Sequence, residues 1–414
     1  MLQAPRGTQD IYGDAMKIWR QVEDHIRAIT DAYSYTEIRV PIFEHTELFL
    51  RGVGDTTDIV QKEMYTFLDK GERSLSLRPE QTAGTARAFV ERGMHNQPQP
   101  TKLFYIGPNF RYERPQEGRY RQHYQFGVEL FGASSFAAEA EVISTGHELL
   151  TRLGVKDFSV CINSIGCPDC RAVYHANLKA FLGQRHDELC GLCRQRFEKN
   201  PLRTLDCKSP GCKELLSAAP SVLDALDDDC RAHFEGLKNL LTLMEIPFEV
   251  NAKIVRGLDY YTRTVFEFIK DGLTVIGGGR YDGLIEQVGG PPTPGIGYGM
   301  GIERLVLLLQ KQNALPEISQ GPDIFIGSVG DDAFAKAQEL VYSLRKRGIR
   351  AEGDLLARSV KAQMKYAGKI NARRTTIIGD TELSESASDV KNMETGEVER
   401  VTFENLGGGC APQR

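Results

Sequence analysis

Along residues 14–33, "DAMKIWRQVEDHIRAITDAY", apolar side chains return at Ile18, Val22, Ile26 and Ile29, the spacing of one helix face. The pattern changes at "SYTEIRVPIFEHTELF", which reads as a strand interrupted by Pro41, a residue that central strand positions tolerate poorly. "SLSLRPEQTAGTARAFVERG" predicts a strand with alternating Leu75 and Leu77, a break at Pro79 and a helix from about Thr82. "TKLFYIGPNFRYER" and "YRQHYQFGVELFG" predict two antiparallel strands around a charged turn, and "AAEAEVISTGHELLTRLGV" a helix after them. From about Cys161 to Val250 the chain reads as helical, polar and rich in cysteine. Strand patterns return at "AKIVRGLDYYTRTVFEFI" and "LTVIGGGRYDGLI", and "GIGYGMGIERLVLLLQKQ" reads as strand, glycine turn, helix. "NALPEISQGPD" has the composition of a linker. Beyond it, strands and helices alternate over about ninety residues, the pattern of a small α/β domain. No internal repeat is visible.

At 414 residues the chain exceeds one ordinary core, so two or three domains are expected. Its composition, 41% hydrophobic and 26% charged, is globular rather than disordered. No apolar run reaches the ~18 residues that span a bilayer, and the start, "MLQAPRGTQDIYG", lacks a charged-then-apolar signal pattern. The expected location is the cytoplasm, with no membrane partner and no structural disulfides. The net charge of −5 gives no global field for nucleic acid, but the distribution is uneven. Lys336 to Arg374 holds eleven Lys/Arg against Glu339, Glu352 and Asp354, and Asp380 to Glu404 holds eight Asp/Glu against Lys391 and Arg400. A basic segment of this kind can grip a polyanion locally, or be a solvated helix face.

The same two readings apply to "NFRYERPQEGRYRQHYQFGVELFG", residues 109–132. Arg111, Arg114, Arg119 and Arg121 crowd around Pro115–Gly118 with only Glu113 and Glu117 to offset them. Phosphate-loop signatures are absent: there is no G-x-x-x-x-G-K-[ST], and Gly297, Gly299 and Gly301 are misspaced for a dinucleotide loop. If the chain handles ATP, arginines do it.

Three segments taken together, this stretch, "VRGLDYYTRTVFE" with "GGGRYDGL", and "GIGYGMGIERL", resemble the class II aminoacyl-tRNA synthetases, and within them the histidyl-tRNA synthetase family. "IRVPIFEHTELF" is similar to the first class motif, the arginine-rich stretch to the second and "GIGYGMGIERL" to the third; "RGLDYYT" and "GGGRYDGL" resemble the two histidine-specific motifs. The resemblance covers nearly the whole chain. It implies an α+β fold: an antiparallel-sheet catalytic core (1–160 and 251–310), a helical insertion (161–250), a linker (311–321), an α/β anticodon-binding domain (322–406) and a tail (407–414). It also implies a homodimer with Pro41 at its interface.

The implied activity is formation of histidyl-adenylate from L-histidine and ATP with Mg2+, then transfer to the terminal ribose of tRNA(His). Carboxylate attack on the α-phosphorus brings two anions together, so cations must offset the repulsion, and arginine grips phosphate bidentately while staying ionised. By resemblance, Arg111 holds the α-phosphate and the histidine carboxylate, Arg119 reaches the terminal phosphate and Arg304 grips ATP from the other side. Arg256 acts as the cationic catalyst, and Glu113, Arg121 and His123 complete the ATP set. His123 replaces a more extensive aromatic expected to stack on adenine. Glu129 and Tyr261 match the residues that recognise imidazole, with Tyr260 beside them, Gln125 adding polar contacts and Tyr281 projecting into the pocket. Glu80 and Thr82 match those that take the α-ammonium. Adjacent strand residues face opposite ways, so one of Tyr260 and Tyr261 is expected to be packing only. "GGGRYDG" is either a tight turn or a place of close backbone approach. Arg114 and Gln116 are expected to meet the tRNA acceptor end, and Arg358 and Lys361 to lie near base readout.

Nine cysteines are many for a cytoplasmic chain. Cys167-x2-Cys170 and Cys190-x2-Cys193 have the spacing of a four-thiolate structural zinc site, with Cys207 and Cys212 as alternative ligands. Cys161, Cys230 and Cys410 read as solitary thiols. Two rival functions share the pattern: a catalytically silent regulatory subunit of ATP phosphoribosyltransferase, and a non-catalytic RNA-binding module. The intact arginine set and "RGLDYYT" argue against the first, and the ATP-type arginines against the second.

Overall fold

The computed structural model describes residues 2–53, 57, 59–199, 201–205, 207, 209–254, 260–315 and 321–408. The chain divides into two compact units, Met1–Pro316 and Glu317–Arg414.

In the first unit, α1 (Asp14–Ala32) buries Ile18, Val22, Ile26 and Ile29 along the stripe that the spacing predicts. The segment around Pro41 does not form one strand. It separates into β1 (Thr36–Glu37) and β2 (Phe43–His45), which join different sheets, and its last residues start α2 (Thr46–Val53). Phe49, Gly52 and Val53 are buried there at helical spacing. β3 (Tyr65–Leu68) and β4 (Ser74–Leu77) complete a small sheet in the order β2-β4-β3. After the break at Pro79 come α3 (Thr82–Glu91), β5 (Thr101–Phe110), β6 (Gln122–Phe131) and α4 (Phe136–Arg152), whose cap Ser135 accepts from the Ala137 amide.

The helical region follows β7 (Ser159–Ser164) and comprises α5 (Pro168–Gln184), α6 (Gly191–Lys199), α7 (Pro210–Ser217) and α8 (Asp228–Leu243), closed by β8 (Glu249–Val250). β7 and β8 belong to the large sheet, so the helical excursion starts a few residues later than the cysteine content implies. The unit ends with β9 (Thr262–Lys270), β10 (Leu273–Arg280), α9 (Leu284–Gln287), β11 (Gly295–Gly301) and α10 (Ile302–Lys311).

The large sheet runs β1-β5-β6-β11-β10-β9-β7-β8. Its ladders are antiparallel except the edge pairs β1–β5 and β7–β8. The expected glycine turn in "GIGYGMG" is instead strand β11 running straight into α10. Gly295, Gly297, Gly299 and Gly301 alternate, so all four lie on one face of the strand.

The second unit carries β12 (Ile324–Ser328), α11 (Asp331–Lys346), β13 (Ala351–Gly353), α12 (Val360–Lys369), β14 (Arg374–Ile378), α13 (Asp380–Glu385), β15 (Ala387–Asn392) and β16 (Val398–Thr402). Its sheet order is β13-β12-β14-β15-β16, parallel for the first three strands and antiparallel thereafter. α11 buries Ala333, Ala337, Leu340, Val341 and Leu344 in the core of this unit. Among the described residues, no helix is long and apolar enough to cross a membrane.

Candidate active site

The register of the large sheet prepares a trench without side chains. Gly299 lies opposite Gly127 on β6 and opposite Gly277 on β10, so three glycines form one row across three strands. The next row sets Gly297 between Glu129 and Gly279. A Cβ on Gly299 would stand 2.0 Å from Gln125 Nε2, and one on Gly297 2.1 Å from Glu129 Oε2. These positions therefore need glycine because polar side chains from β6 occupy the space above them. In β10, "GGGR" is strand rather than tight turn.

Above this floor lies a cavity of ≈ 320 Å³. It brings together Glu80, Thr82, Arg111, Glu113, Arg119, His123, Gln125, Tyr260, Tyr261, Tyr281 and Arg304, eleven of the residues singled out by sequence. Tyr260 and Tyr261 both line it, because they precede β9 and escape the strand alternation expected of them. Their rings are 4.7 Å apart, and Tyr260 meets Tyr281 edge-on at 5.4 Å. Arg256 lies outside the described residues.

Glu129 is not on the cavity wall but sealed behind it, 1% exposed. Thr82 Oγ1 donates to its Oε1 at 2.7 Å, Tyr105 Oη donates to the same oxygen at 3.0 Å, and Tyr281 Oη donates to Oε2. Burial outweighs these donors and pushes the carboxyl up to about 8. Tyr105, which covers Gly127, had no signal in the sequence beyond strand periodicity. Glu80 uses both oxygens to hold α3, accepting from the Thr82 amide at 2.7 Å and the Ala83 amide at 2.8 Å, and burial raises its carboxyl too. Gln125 is oriented by Asn109, whose Nδ2 donates to Gln125 Oε1 at 2.6 Å.

At the other end the arginines gather. Arg111 Nε donates to the Pro79 carbonyl at 2.8 Å, and Arg304 Nη1 to the Thr274 carbonyl at 3.1 Å. Among the described residues neither has a carboxylate partner, whereas Arg119 pairs with Glu113. Burial first, then Arg119 and Arg111 nearby, lower the Arg304 guanidinium from its ordinary value, with Glu113 opposing them. Burial followed by Arg111 and Arg304 drives His123 down to about 3, so its imidazole is neutral. Glu303, which the sequence did not flag, accepts from the Tyr124 amide at 2.9 Å and fixes α10 against the strand carrying His123. Burial pushes that carboxyl up to about 7.

Some expected residues turn elsewhere. Arg121 lies outside the cavity wall, its guanidinium 3.8 Å from the Tyr112 ring centre and its Nε donating to the Glu113 carbonyl at 3.2 Å. Arg114 and Gln116 are exposed on the turn. Arg280 in "GGGRYDGL" is fully buried, and Glu139 accepts from its Nε at 2.6 Å and its Nη2 at 2.7 Å. In the second unit, Arg358 is bound to Asp354 and stacked 4.3 Å over Tyr366, whereas Lys361 is exposed on α12 in line with Lys365 and Lys369.

The cysteines assemble differently from the expected set. Cys190, Cys193, Cys207 and Cys212 form one cluster, and Cys167, Cys170, Asp227 and Cys230 another. Cys167 and Cys170 open α5, and Cys190 follows its far end. A helix of 17 residues is about 25 Å long, so the two C-x2-C pairs cannot share an ion. Cys230, expected to stand alone, belongs to the second cluster.

The family model described as Histidyl-tRNA synthetase matches residues 7–305, and one described as Anticodon binding domain matches residues 323–410. A curated Histidine--tRNA ligase of Acetivibrio thermocellus is 51% identical over 410 residues, covering 98% of each chain. One of Clostridium novyi is 51% identical over 405 residues, covering 98% of this chain and 97% of its own. The crystal structure of apo S. aureus histidyl-tRNA synthetase superposes with a TM-score of 0.84 at 40% identity, covering 98% of both chains. Matched in this way through the arginine-lined cleft, the chain belongs to the histidyl-tRNA synthetase family.

Proposed function

We propose that the chain ligates L-histidine to tRNA(His) by way of histidyl-adenylate. The observation that carries this reading is the pair Arg111 and Arg304, neither ion-paired among the described residues, facing a glycine-floored cleft beside the Glu129 hydroxyl cluster. In the first step the histidine carboxylate attacks the α-phosphorus, the acyl-phosphate bond forms, and the bond to pyrophosphate breaks. Arg111 and Arg304 offset charge on the attacking and transferring groups, and Arg256 joins them by family resemblance. Arg119 exchanges Glu113 for the terminal phosphate. His123, neutral, stacks on adenine, and Arg121 braces the turn instead of touching ATP. In the second step the terminal ribose hydroxyl attacks the carbonyl carbon and AMP leaves.

Glu80 and Thr82 receive the α-ammonium, and Tyr260, Tyr281 and Gln125 bound the histidine. Glu129 and Tyr261 recognise the imidazole, Glu129 exchanging one hydroxyl partner for the ring N–H. A buried carboxyl of this kind penalises any substrate that leaves it unpaired. Mg2+ would be held chiefly by ATP oxygens, with Glu113 the carboxylate at the rim that could join them once Arg119 releases it, and would supply neutralisation of phosphate charge. Arg114 and Gln116 on the exposed turn meet the acceptor end, and the 322–406 domain binds the anticodon arm near Lys361. Arg358 is a scaffold for that helix. The active protein is a cytoplasmic homodimer.

A structural zinc is assigned to Cys190, Cys193, Cys207 and Cys212, whose Cys190 and Cys207 sulfurs are 3.8 Å apart. Two thiolates at ≈ 2.3 Å on a tetrahedral ion stand about 3.8 Å apart. This set takes the place of the one that sequence spacing favoured. Histidine-dependent ATP–pyrophosphate exchange, with other amino acids as controls, tests the activity. No exchange on adding histidine removes it.

A further inference from the structure

In the helical region, packing brings together a second group of four candidate ligand atoms that the reading above does not use. Cys167 is the N-cap of α5 and Cys170 lies in its first turn; Asp227 is the N-cap of α8 and Cys230 lies in its first turn. The two helix starts repeat one local geometry. The Cys170 amide donates to Cys167 Sγ at 3.5 Å, and the Cys230 amide donates to Asp227 Oδ1 at 2.7 Å. Packing then brings the two together. Cys167 Sγ lies 3.5 Å from Cys170 Sγ and 3.1 Å from Asp227 Oδ2, and the Asp227 amide donates to Cys170 Sγ at 3.2 Å. All four ligand atoms lie within 4.8 Å of one another, with Cys170 and Cys230 buried.

We infer that Cys167, Cys170, Asp227 and Cys230 form a second zinc site, of three thiolates and one carboxylate, independent of the four-cysteine site. Sulfurs at ≈ 2.3 Å and a carboxylate oxygen at 2.0–2.2 Å from zinc stand about 3.5–3.8 Å apart in a tetrahedral shell; the 3.5 Å Cys167–Cys170 sulfur pair meets this, and the 3.1 Å Cys167–Asp227 contact would open by a few tenths of an ångström as the ion replaces the thiol proton. A disulfide accounts for the cluster poorly, since it uses two thiols and leaves the third facing a carboxylate. Two helix N-termini aimed at the cluster favour its anionic ligands. Asp227 capping α8 with Oδ1 leaves Oδ2 for the metal, so the cap and the ligand roles coexist in one side chain.

The position of the site gives it a consequence for the cleft. Gly166 accepts from the Arg263 amide at 2.9 Å, and Arg171, next to Cys170, donates from Nη1 to the Tyr261 carbonyl at 3.2 Å. The turn that the metal closes therefore braces the segment carrying Tyr260 and Tyr261. The four ligands are positioning residues for the histidine side of the cleft.

The test is metal content of the full-length protein purified under reducing conditions with zinc supplied. Two zinc ions per chain are expected. Cys230→Ser and Asp227→Asn should each leave one, Cys212→Ser should leave one, and Cys230→Ser with Cys212→Ser should leave none. Asparagine is as good an N-cap as aspartate, so Asp227→Asn separates loss of the metal from loss of the helix cap. Cobalt substitution gives a second readout: in Cys212→Ser the remaining cobalt should show three-thiolate charge-transfer intensity. Asp227→Asn should also raise KM for histidine several-fold in exchange, with KM for ATP little changed. One zinc in the wild-type protein and the same one in Asp227→Asn and Cys230→Ser would overturn the site, as would a Cys167–Cys170 disulfide in freshly isolated protein. Metal counting does not depend on the aminoacylation reading, so the two can fail separately.

Discussion

Thr82 Oγ1 and Glu129 Oε1 meet at 2.7 Å across 47 positions of sequence, joining the first residue of α3 to β6 near its C-terminal end. The contact puts a group placed near the α-ammonium and a group placed near the imidazole in one buried network with Tyr105 and Tyr281. On the proposed assignment, recognition of the two ends of histidine would be mechanically linked through this contact.

Two buried carboxyls, Glu129 in this network and Glu303 at the start of α10, make stability depend on pH. Glu129 is pushed up to about 8 and Glu303 to about 7, each chiefly by burial, against an ordinary carboxyl near 4.5. The folded state thus holds protons that the unfolded chain has released. Their stabilising contribution is complete below pH 4.5 and is lost as pH rises through 7 and 8. Urea midpoints of the ligand-free protein should fall between pH 5.5 and 8.5, and Glu129→Gln with Glu303→Gln should flatten that fall. An equal slope in wild type and double variant would show that these carboxyls are ionised throughout.

Gly297 and Gly299 should respond differently to alanine. The nearest atoms to a Cβ on Gly299 belong to the Gln125 side chain, which can swing away at the cost of its bond from Asn109. Gly299→Ala should therefore fold, with a raised KM for histidine. A Cβ on Gly297 also meets the Val128 backbone carbonyl at 2.2 Å, which cannot move alone. Gly297→Ala should cost about 1–3 kcal/mol of stability, the range for overpacked cores. Thermal melts and exchange kinetics on both variants decide; similar melting temperatures would contradict the distinction.

Arg304 is predicted to act on ATP rather than on the fold, because among the described residues its hydrogen-bond partner is a single carbonyl. Arg304→Ala should lower adenylation by on the order of 100-fold, the scale for one preorganised charge. Arg121→Ala, removing a residue stacked on Tyr112, should cost far less. Pyrophosphate exchange at saturating and limiting ATP measures both, and the reverse order would return Arg121 to the ATP set. Arg256→Ala should lower the adenylation rate more than it weakens histidine binding.

Lys361, Lys365 and Lys369 form an exposed stripe on α12. Replacing all three by alanine should raise KM for tRNA and reduce the steepness of its salt dependence, each lost phosphate contact removing about one from the slope. Histidine-dependent exchange without tRNA should be unchanged. Charging that matches wild type across a salt series would make the stripe a solvated face.

What the sequence determined by itself was local and ordered along the chain. The α1 stripe, the strands flanking the arginine turn, the alternating second unit and the succession of motifs were all legible, because periodicity and motif spacing belong to the backbone. The motif order was enough to reach the family and to name eleven residues of the cleft wall. Tertiary structure decided which groups share a space and how polar that space is. It closed Glu129 behind three hydroxyls, left His123 buried and neutral near Arg111 and Arg304, and brought both Tyr260 and Tyr261 to the cleft by starting β9 only at Thr262. It took Arg121 and Arg358 out of the free cations. It also divided the cysteines. Two C-x2-C pairs look interchangeable by spacing, but a rigid helix of about 25 Å separates them, and the partners of Cys167 and Cys170 come from a second helix start some sixty residues on. Spacing fixes distance along the chain; only packing of distant segments fixes which side chains meet and what dielectric surrounds them.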